Sequence, residues 1–229
     1  KEANRSQWAG VLLRGHCNNE VWGLACHPLL PEYVTVGDDM SMRCYDVTTR
    51  KLKYVAPLGA VARACTFNAE GSLLAVGFGG RFGRGKEPKG GMVRLYHGNN
   101  SAEAAGGAKV SDALCEIRDA KQWISDVKFS ADSSTLCVAA HDCKIYIYDV
   151  TFESALQSQL LPKVKSASLK LRTTFRKHAS VINHIDLSSE GRYMQSNCSA
   201  YELLFCDLTT GKQVTASSQL KDVTWDSWT

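Results

Sequence analysis

The chain has 229 residues, 44% of them hydrophobic and 22% charged, with a formal net charge of +4 at pH 7. That balance is ordinary for a globular protein with a buried core. No run of about 18 apolar residues is present, which excludes a membrane-spanning helix, and the polar opening Lys1-Glu2-Ala3-Asn4-Arg5 lacks the apolar stretch of a secretory signal. The nine cysteines form no Cys-x-x-C pair and show no zinc-ligand spacing. Their odd number, and the apolar strand-like settings of Cys26, Cys44, Cys65, Cys137 and Cys206, read as small core residues in a reducing compartment.

Taken in chain order, the predicted elements repeat one plan four times. The first unit has a strand ending in a polar turn, Leu24-Ala25-Cys26-His27-Pro28, then strands over Tyr33–Val36 and Met42–Asp46. The second has Cys65-Thr66-Phe67-Asn68-Ala69, Leu73–Val76 and Val93–His97. The third has Val127-Lys128-Phe129-Ser130-Ala131, Leu136–Ala139 and Ile145–Asp149. The fourth has Ile185-Asp186-Leu187-Ser188-Ser189, Tyr193–Ser196 and Leu203–Asp207. Cys26 to Asp46, Phe129 to Asp149 and Leu187 to Asp207 each span 20 residues, and Phe67 to His97 spans 30, the same unit with a ten-residue insertion. Alternation such as Ile145-Tyr146-Ile147-Tyr148 marks strands, and the Gly, Asn and Asp residues between them mark turns.

Short strands repeating at this period predict propeller blades. The expected fold is all-β: a WD-repeat β-propeller segment of four consecutive four-stranded blades, part of a larger propeller. The expected boundaries are 1–14 for the end of a preceding blade or a linker, 15–54 for blade 1 and 55–114 for blade 2 with its insertions. Blade 3 follows at 115–152, a basic inter-blade insertion at 153–174, blade 4 at 175–217, and the start of a next blade at 218–229. Four blades leave a sheet edge at each end, so further blades of the same chain or a partner are expected to cover them.

The dipeptides agree. Gly15-His16 opens unit 1, and Tyr45-Asp46 and Tyr148-Asp149 close units as Trp-Asp does in WD repeats. Asp39 and Asp142 each lie seven residues before the closing Asp, where a turn Asp belongs, and His16 and His178 stand at blade openings as structural hydrogen-bonding residues. Unit 2 ends Tyr96-His97, unit 4 ends Cys206-Asp207 with Ala200 in the turn position, and unit 3 opens without a His. The repeats are degenerate.

Three phrases go beyond a generic WD repeat: Gly15-His16-Cys17-Asn18-Asn19-Glu20-Val21-Trp22-Gly23-Leu24-Ala25-Cys26-His27-Pro28; Ala139-Ala140-His141-Asp142-Cys143-Lys144-Ile145-Tyr146-Ile147-Tyr148; and Gln195-Ser196-Asn197 with Tyr201-Glu202-Leu203-Leu204. They resemble the echinoderm microtubule-associated protein-like (EML) family, as does the closing Leu220-Lys221-Asp222-Val223-Thr224-Trp225. The resemblance implies tandem atypical propellers, a non-enzymatic scaffold, partners among tubulin, microtubules or other cytoskeletal proteins, and a place in the cytoplasm and cytoskeleton, including the axoneme of a cilium or flagellum.

Two basic segments are candidate partner-binding loops. Arg81, Arg84, Lys86 and Lys89 lie in a glycine-rich loop, and Lys163, Lys165, Lys170 and Arg172 lie in a stretch with no acidic residue from Ser154 to Ile185. Such clusters attract acidic surfaces in a salt-dependent way. Nucleic acid is disfavoured because no aromatic-basic interleaving accompanies them. The first loop, Gly80-Arg81-Phe82-Gly83-Arg84-Gly85-Lys86, fits the start of a phosphate-binding loop, but Glu87 replaces the required Ser or Thr and Pro88 denies the helix. No nucleophile elbow is present. No catalytic residue, cofactor or metal is therefore expected. The rival readings are a WD-repeat adaptor without tubulin contact and, remotely, a nucleotide-binding protein using the glycine-rich loop.

Overall fold

The computed structural model describes residues 15–16, 20–79, 91–98, 112–155 and 163–227. Within them, four four-stranded antiparallel sheets follow one another in chain order. Blade 1 holds β1 (Val21–Cys26), β2 (Glu32–Gly37), β3 (Ser41–Asp46) and β4 (Leu52–Pro57). Blade 2 holds β5 (Ala62–Phe67), β6 (Leu73–Phe78), β7 (Val93–His97) and β8 (Cys115–Ile117). Blade 3 holds β9 (Ile124–Phe129), β10 (Thr135–Ala140), β11 (Lys144–Ala155) and β12 (Lys163–Phe175). Blade 4 holds β13 (Ile182–Leu187), β14 (Tyr193–Cys198), β15 (Leu203–Asp207) and β16 (Lys212–Val214). The chain is a run of β-propeller blades.

The core lies between blades rather than within them. One apolar cluster joins blades 1 and 2 through Val36, Met42, Leu74, Val76 and Phe78. A second joins blades 2 and 3 through Leu73, Leu95, Val127, Leu136 and Val138. A third joins blades 3 and 4 through Cys137, Ile147, Ile185 and Met194. Every residue of β6 and of β10 is buried, so these strands read as continuous apolar runs rather than alternating ones. The opening strands of neighbouring blades approach closely: a Cβ on Gly23 would lie 3.1 Å from the Cys65 nitrogen and 3.2 Å from the Ala64 carbonyl carbon.

The fourth strands are where the sequence boundaries need correction. β4 runs across the expected limit between residues 54 and 55, and β8 belongs to blade 2, although blade 3 was expected to begin at 115. The stretch 153–174, expected to be an inter-blade insertion, contains the end of β11 and most of β12. β12 pairs with β11 from Ile145↔Phe175 to Ala155↔Lys163. Outer strands bury one face lightly and carry a weak apolar signal, and the Ser, Lys and Thr residues of β12 hid it. Its apolar residues Val164, Ala167 and Leu169 pack on the cluster between blades 2 and 3. Of the cysteines read as core, Cys44, Cys137 and Cys206 are buried, Cys65 is partly so, and Cys26 is exposed. Burial pushes the Cys44 and Cys206 thiols up to about 12.

The turn after each opening strand is fastened by one buried polar residue. Asn68 Oδ1 accepts from the Leu73 nitrogen at 2.9 Å, Ser130 Oγ from Thr135 at 3.0 Å and Ser188 Oγ from Tyr193 at 2.9 Å. In blade 1 the residue is His27, whose Nδ1 accepts from Leu30 at 3.0 Å while Nε2 donates to the Gly71 carbonyl of blade 2 at 3.1 Å. Gly91 marks the tightest contact: at φ +73°, a Cβ there would lie 1.8 Å from the Ala120 oxygen of blade 3. Gly91→Ala is expected to cost roughly 1–3 kcal/mol from backbone strain alone and more from displacing blade 3. An unchanged melting temperature would refute the close approach.

Candidate functional site

The loops that enter the opening strands and the turns between second and third strands gather at one end of the blades. Three of those turns share a device. Met40, Cys143 and Tyr201 occupy equivalent positions at φ 57°, 63° and 62°, a left-handed conformation that non-glycine residues adopt at a cost of about 1–2 kcal/mol. Tyr201 is fully exposed there, and Met40 is exposed as well.

In blade 1, His16 ties this rim to the sheet. Its Nδ1 lies 2.7 Å from Asp39 Oδ1 and its Nε2 2.9 Å from Thr35 Oγ1. Asp39 also accepts from the Ser41 hydroxyl at 2.8 Å and from Arg43 Nη2 at 3.1 Å. Burial pushes the Asp39 carboxyl up, but hydrogen bonds from Ser41, His16 and Arg43 prevail and hold it below its ordinary value. In blade 3, Asp142 accepts from the Tyr146 hydroxyl at 2.7 Å and the Lys121 nitrogen at 3.0 Å. Ala120 there is buried, four residues before the strand, where blade 4 has His178. In blade 4, His178 Nε2 is 2.7 Å from Ser196 Oγ. With Ala200 unable to serve, Glu202 supplies the carboxylate and accepts from the Ala179 nitrogen at 2.9 Å.

Thr35–His16–Asp39 and Ser196–His178–Glu202 have the connectivity of a hydrolase triad. Burial rules against that use: the His16 and His178 side chains are 2% and 0% exposed, and Ser196 is buried. The buried Ser196 hydroxyl and both buried imidazoles leave no open approach for a substrate carbonyl. The triads fasten turns.

One feature escaped the sequence reading. Arg63, at the second position of β5, lies between two indoles: its Cζ is 4.2 Å from the Trp22 ring centroid and 4.8 Å from that of Trp123. Its Nε donates to the Gly79 carbonyl at 2.8 Å, and its Nη2 is 3.1 Å from Asp38. Trp123 in turn stacks on His141 at 5.2 Å. Burial, aided by the Arg63 charge, pushes the His141 imidazole below its ordinary value. The row Trp22–Arg63–Trp123–His141 thus crosses blades 1, 2 and 3, with Trp22 half exposed. Superposing the units in sequence puts Arg63 at the Trp22 position, the signal that could have found it. Trp225 packs instead against Phe205, at 6.0 Å.

The basic candidates lie elsewhere. Arg81, Arg84, Lys86 and Lys89 fall outside the described residues. Lys163, Lys165, Lys170 and Arg172 line β12, the outer edge of blade 3, where Lys165 and Lys170 are exposed. Arg172, also exposed, is engaged by its own chain: Nε donates to Asp149 at 2.7 Å, Nη2 to Thr135 Oγ1 at 3.1 Å and Nη1 to the Leu208 carbonyl at 3.4 Å.

Two outcomes are expected. Arg63→Ala should cost about 1–3 kcal/mol by removing two cation–π contacts and an ion pair, and should shift tryptophan emission; Arg63→Lys should restore little of either. Because the folded Asp39 carboxyl titrates below its ordinary 3.8, its stabilisation is present above that value and is lost as pH falls through the lower folded one. Acid titration of Asp39→Asn should therefore show a shallower loss of stability across that window than the wild type, and identical curves would contradict the network.

Comparison with known proteins accords with this architecture. Residues 21–229 match the family described as the echinoderm microtubule-associated protein second beta-propeller. The chain is 30% identical over 219 residues to the 77 kDa echinoderm microtubule-associated protein of Strongylocentrotus purpuratus, covering 96% of this chain and 27% of that protein. It is 27% identical over 215 residues to echinoderm microtubule-associated protein-like 2 of Mus musculus, covering 94% and 28%. It is 28% identical over 227 residues to the ciliary WD repeat-containing protein ctxp80 of Euplotoides octocarinatus, covering 93% and 28%. The chain thus spans little more than a quarter of the length of these relatives, 27% and 28% in the cases given. With its blades, its degenerate WD turns and this match across nearly all its length, the chain belongs to the echinoderm microtubule-associated protein family, in the region of the second propeller.

Proposed function

We propose that this chain is a non-catalytic docking module of a cytoskeletal scaffold, and that it contributes to microtubule association within its protein. The observation that carries this reading is the match of residues 21–229 to the second propeller of a family whose named members are microtubule-associated. The ciliary relative supports a place on the microtubules of a cilium or flagellum.

Exposed Lys165 and Lys170 on the edge of blade 3 offer cations to an acidic surface such as that of tubulin. An edge strand with lysines also resists unwanted strand pairing, so the same residues serve solubility and attraction together. Arg81, Arg84, Lys86, Lys89 and Lys163 add to the proposed basic contacts. The second reading, a protein-interaction adaptor without tubulin contact, is favoured by the exposed Trp22, Met40 and Tyr201 on the turn rim.

Microtubule co-sedimentation of the full-length protein across a salt series separates the two. Lys165→Glu with Lys170→Glu should weaken binding about tenfold at low salt, with the difference shrinking as salt rises. Arg172→Glu should instead lower the melting temperature, because its guanidinium bridges β12 to Asp149, Thr135 and Leu208. Full binding by the double variant moves the contact off blade 3, and absence of binding by the wild type favours the adaptor.

A further inference from the structure

The two blade-opening histidines described above, His16 and His178, are not held equivalently, and the difference points to a ligand. In blade 1 the His16 Nδ1 and the turn carboxylate meet at 2.7 Å, a full hydrogen bond. In blade 4 the corresponding pair, His178 Nδ1 and Glu202 Oε2, stands 3.5 Å apart. The His178 side chain is 0% exposed, and at that separation its Nδ1 makes no well-directed hydrogen bond, only a long electrostatic contact with Glu202. A third group faces the gap: the Cys198 Sγ lies 3.2 Å from the same Glu202 oxygen. The three ligand atoms all fall within 4.8 Å of one another.

Both departures from the repeat build this cluster. Cys198 pairs with Ile182 at the register where Gly37 pairs with Val21 in blade 1 and Ala140 with Ile124 in blade 3, so blade 4 alone of these three places a ligating side chain there. Glu202 reaches back from two residues beyond Ala200, which stands in the turn position. The far side of the ring is also arranged for ligation. Ser196 Oγ can donate to the Leu204 carbonyl at 3.3 Å, leaving it to accept from His178 Nε2–H at 2.7 Å. In that tautomer the Nδ1 lone pair faces a carboxylate oxygen, and a cation between them replaces repulsion with two bonds. A metal-binding imidazole held by a hydrogen bond at its other nitrogen is the usual arrangement.

We propose that His178 Nδ1, Cys198 Sγ and Glu202 Oε2 form a zinc site in blade 4. Nitrogen, sulfur and oxygen donors together suit a borderline divalent ion, and three protein ligands leave a fourth tetrahedral position for water. On binding, the Cys198 thiol releases its proton to solvent and ligates as thiolate. The ion joins the loop before β13 to β14 and to the turn before β15, the fastening that a direct His–Asp hydrogen bond gives blade 1. Sequence spacing concealed the site because His178 lies 20 residues before Cys198, in the loop entering the blade.

The full-length protein, stripped with EDTA and loaded with Co²⁺, should show a thiolate-to-cobalt charge-transfer band that disappears in Cys198→Ser while Cys143→Ser retains it. Absence of the band in the wild type, or its persistence in Cys198→Ser, overturns the site. A second measurement needs no variant. In mild denaturant, Zn²⁺ should slow alkylation of Cys198 at least tenfold, read peptide by peptide, and leave Cys206 of the same blade unaffected. Equal Cys198 rates with Zn²⁺ and with EDTA also overturn it.

Discussion

The stacking of one blade on the next is the constraint on which the rest of this structure depends. A single four-stranded sheet has two faces to cover and cannot cover either with its own side chains. The apolar clusters accordingly sit between blades 1 and 2, 2 and 3, and 3 and 4. β6 and β10, in the two inner blades, are buried along their whole length. In the outer blades, β2 and β14 bury only part of theirs. Stability in such an array is a sum over interfaces between neighbours, and the long β11–β12 hairpin enlarges one of them by laying Val164, Ala167 and Leu169 over the cluster between blades 2 and 3.

Stacking leaves the polar ends of each sheet to be satisfied separately, and the blades do so by two routes. At one end a buried His, Asn or Ser accepts backbone hydrogens from the turn. At the other, a carboxylate gathers donors from the turn and from the loop entering the blade. That carboxylate is Asp39 in blade 1, Asp142 in blade 3 and Glu202 in blade 4, with His16, Tyr146 and Ala179 among their respective donors. What persists through the degenerate repeats is the requirement that a buried polar group find a partner. The residue that supplies it is free to vary.

The same logic separates architecture from surface. Arg63 spends its charge between two indoles and Asp38, pinning three blades at the rim. Arg172 spends its own on Asp149, Thr135 and Leu208. Lys165 and Lys170, on the same strand, are as exposed as Arg172, whose guanidinium is already engaged. Charge counted along the sequence therefore overstates what β12 presents to a partner.

The sequence by itself determined the repeat, the all-β class, the first three strands of every blade and the family, because their apolar alternation and fixed 20-residue spacing are local properties of the chain. The repeat positions of His16 and Asp39 were legible too, and the structure brings the two side chains to 2.7 Å. Only the tertiary structure decided the fourth strands, whose half-exposed residues carry little pattern. It alone turned the tract read as an insertion into β12, placed Arg63 between Trp22 and Trp123, and brought His178, Cys198 and Glu202 together. These depend on which side chains meet across blades and turns, a matter of register and stacking that spacing along one chain does not encode.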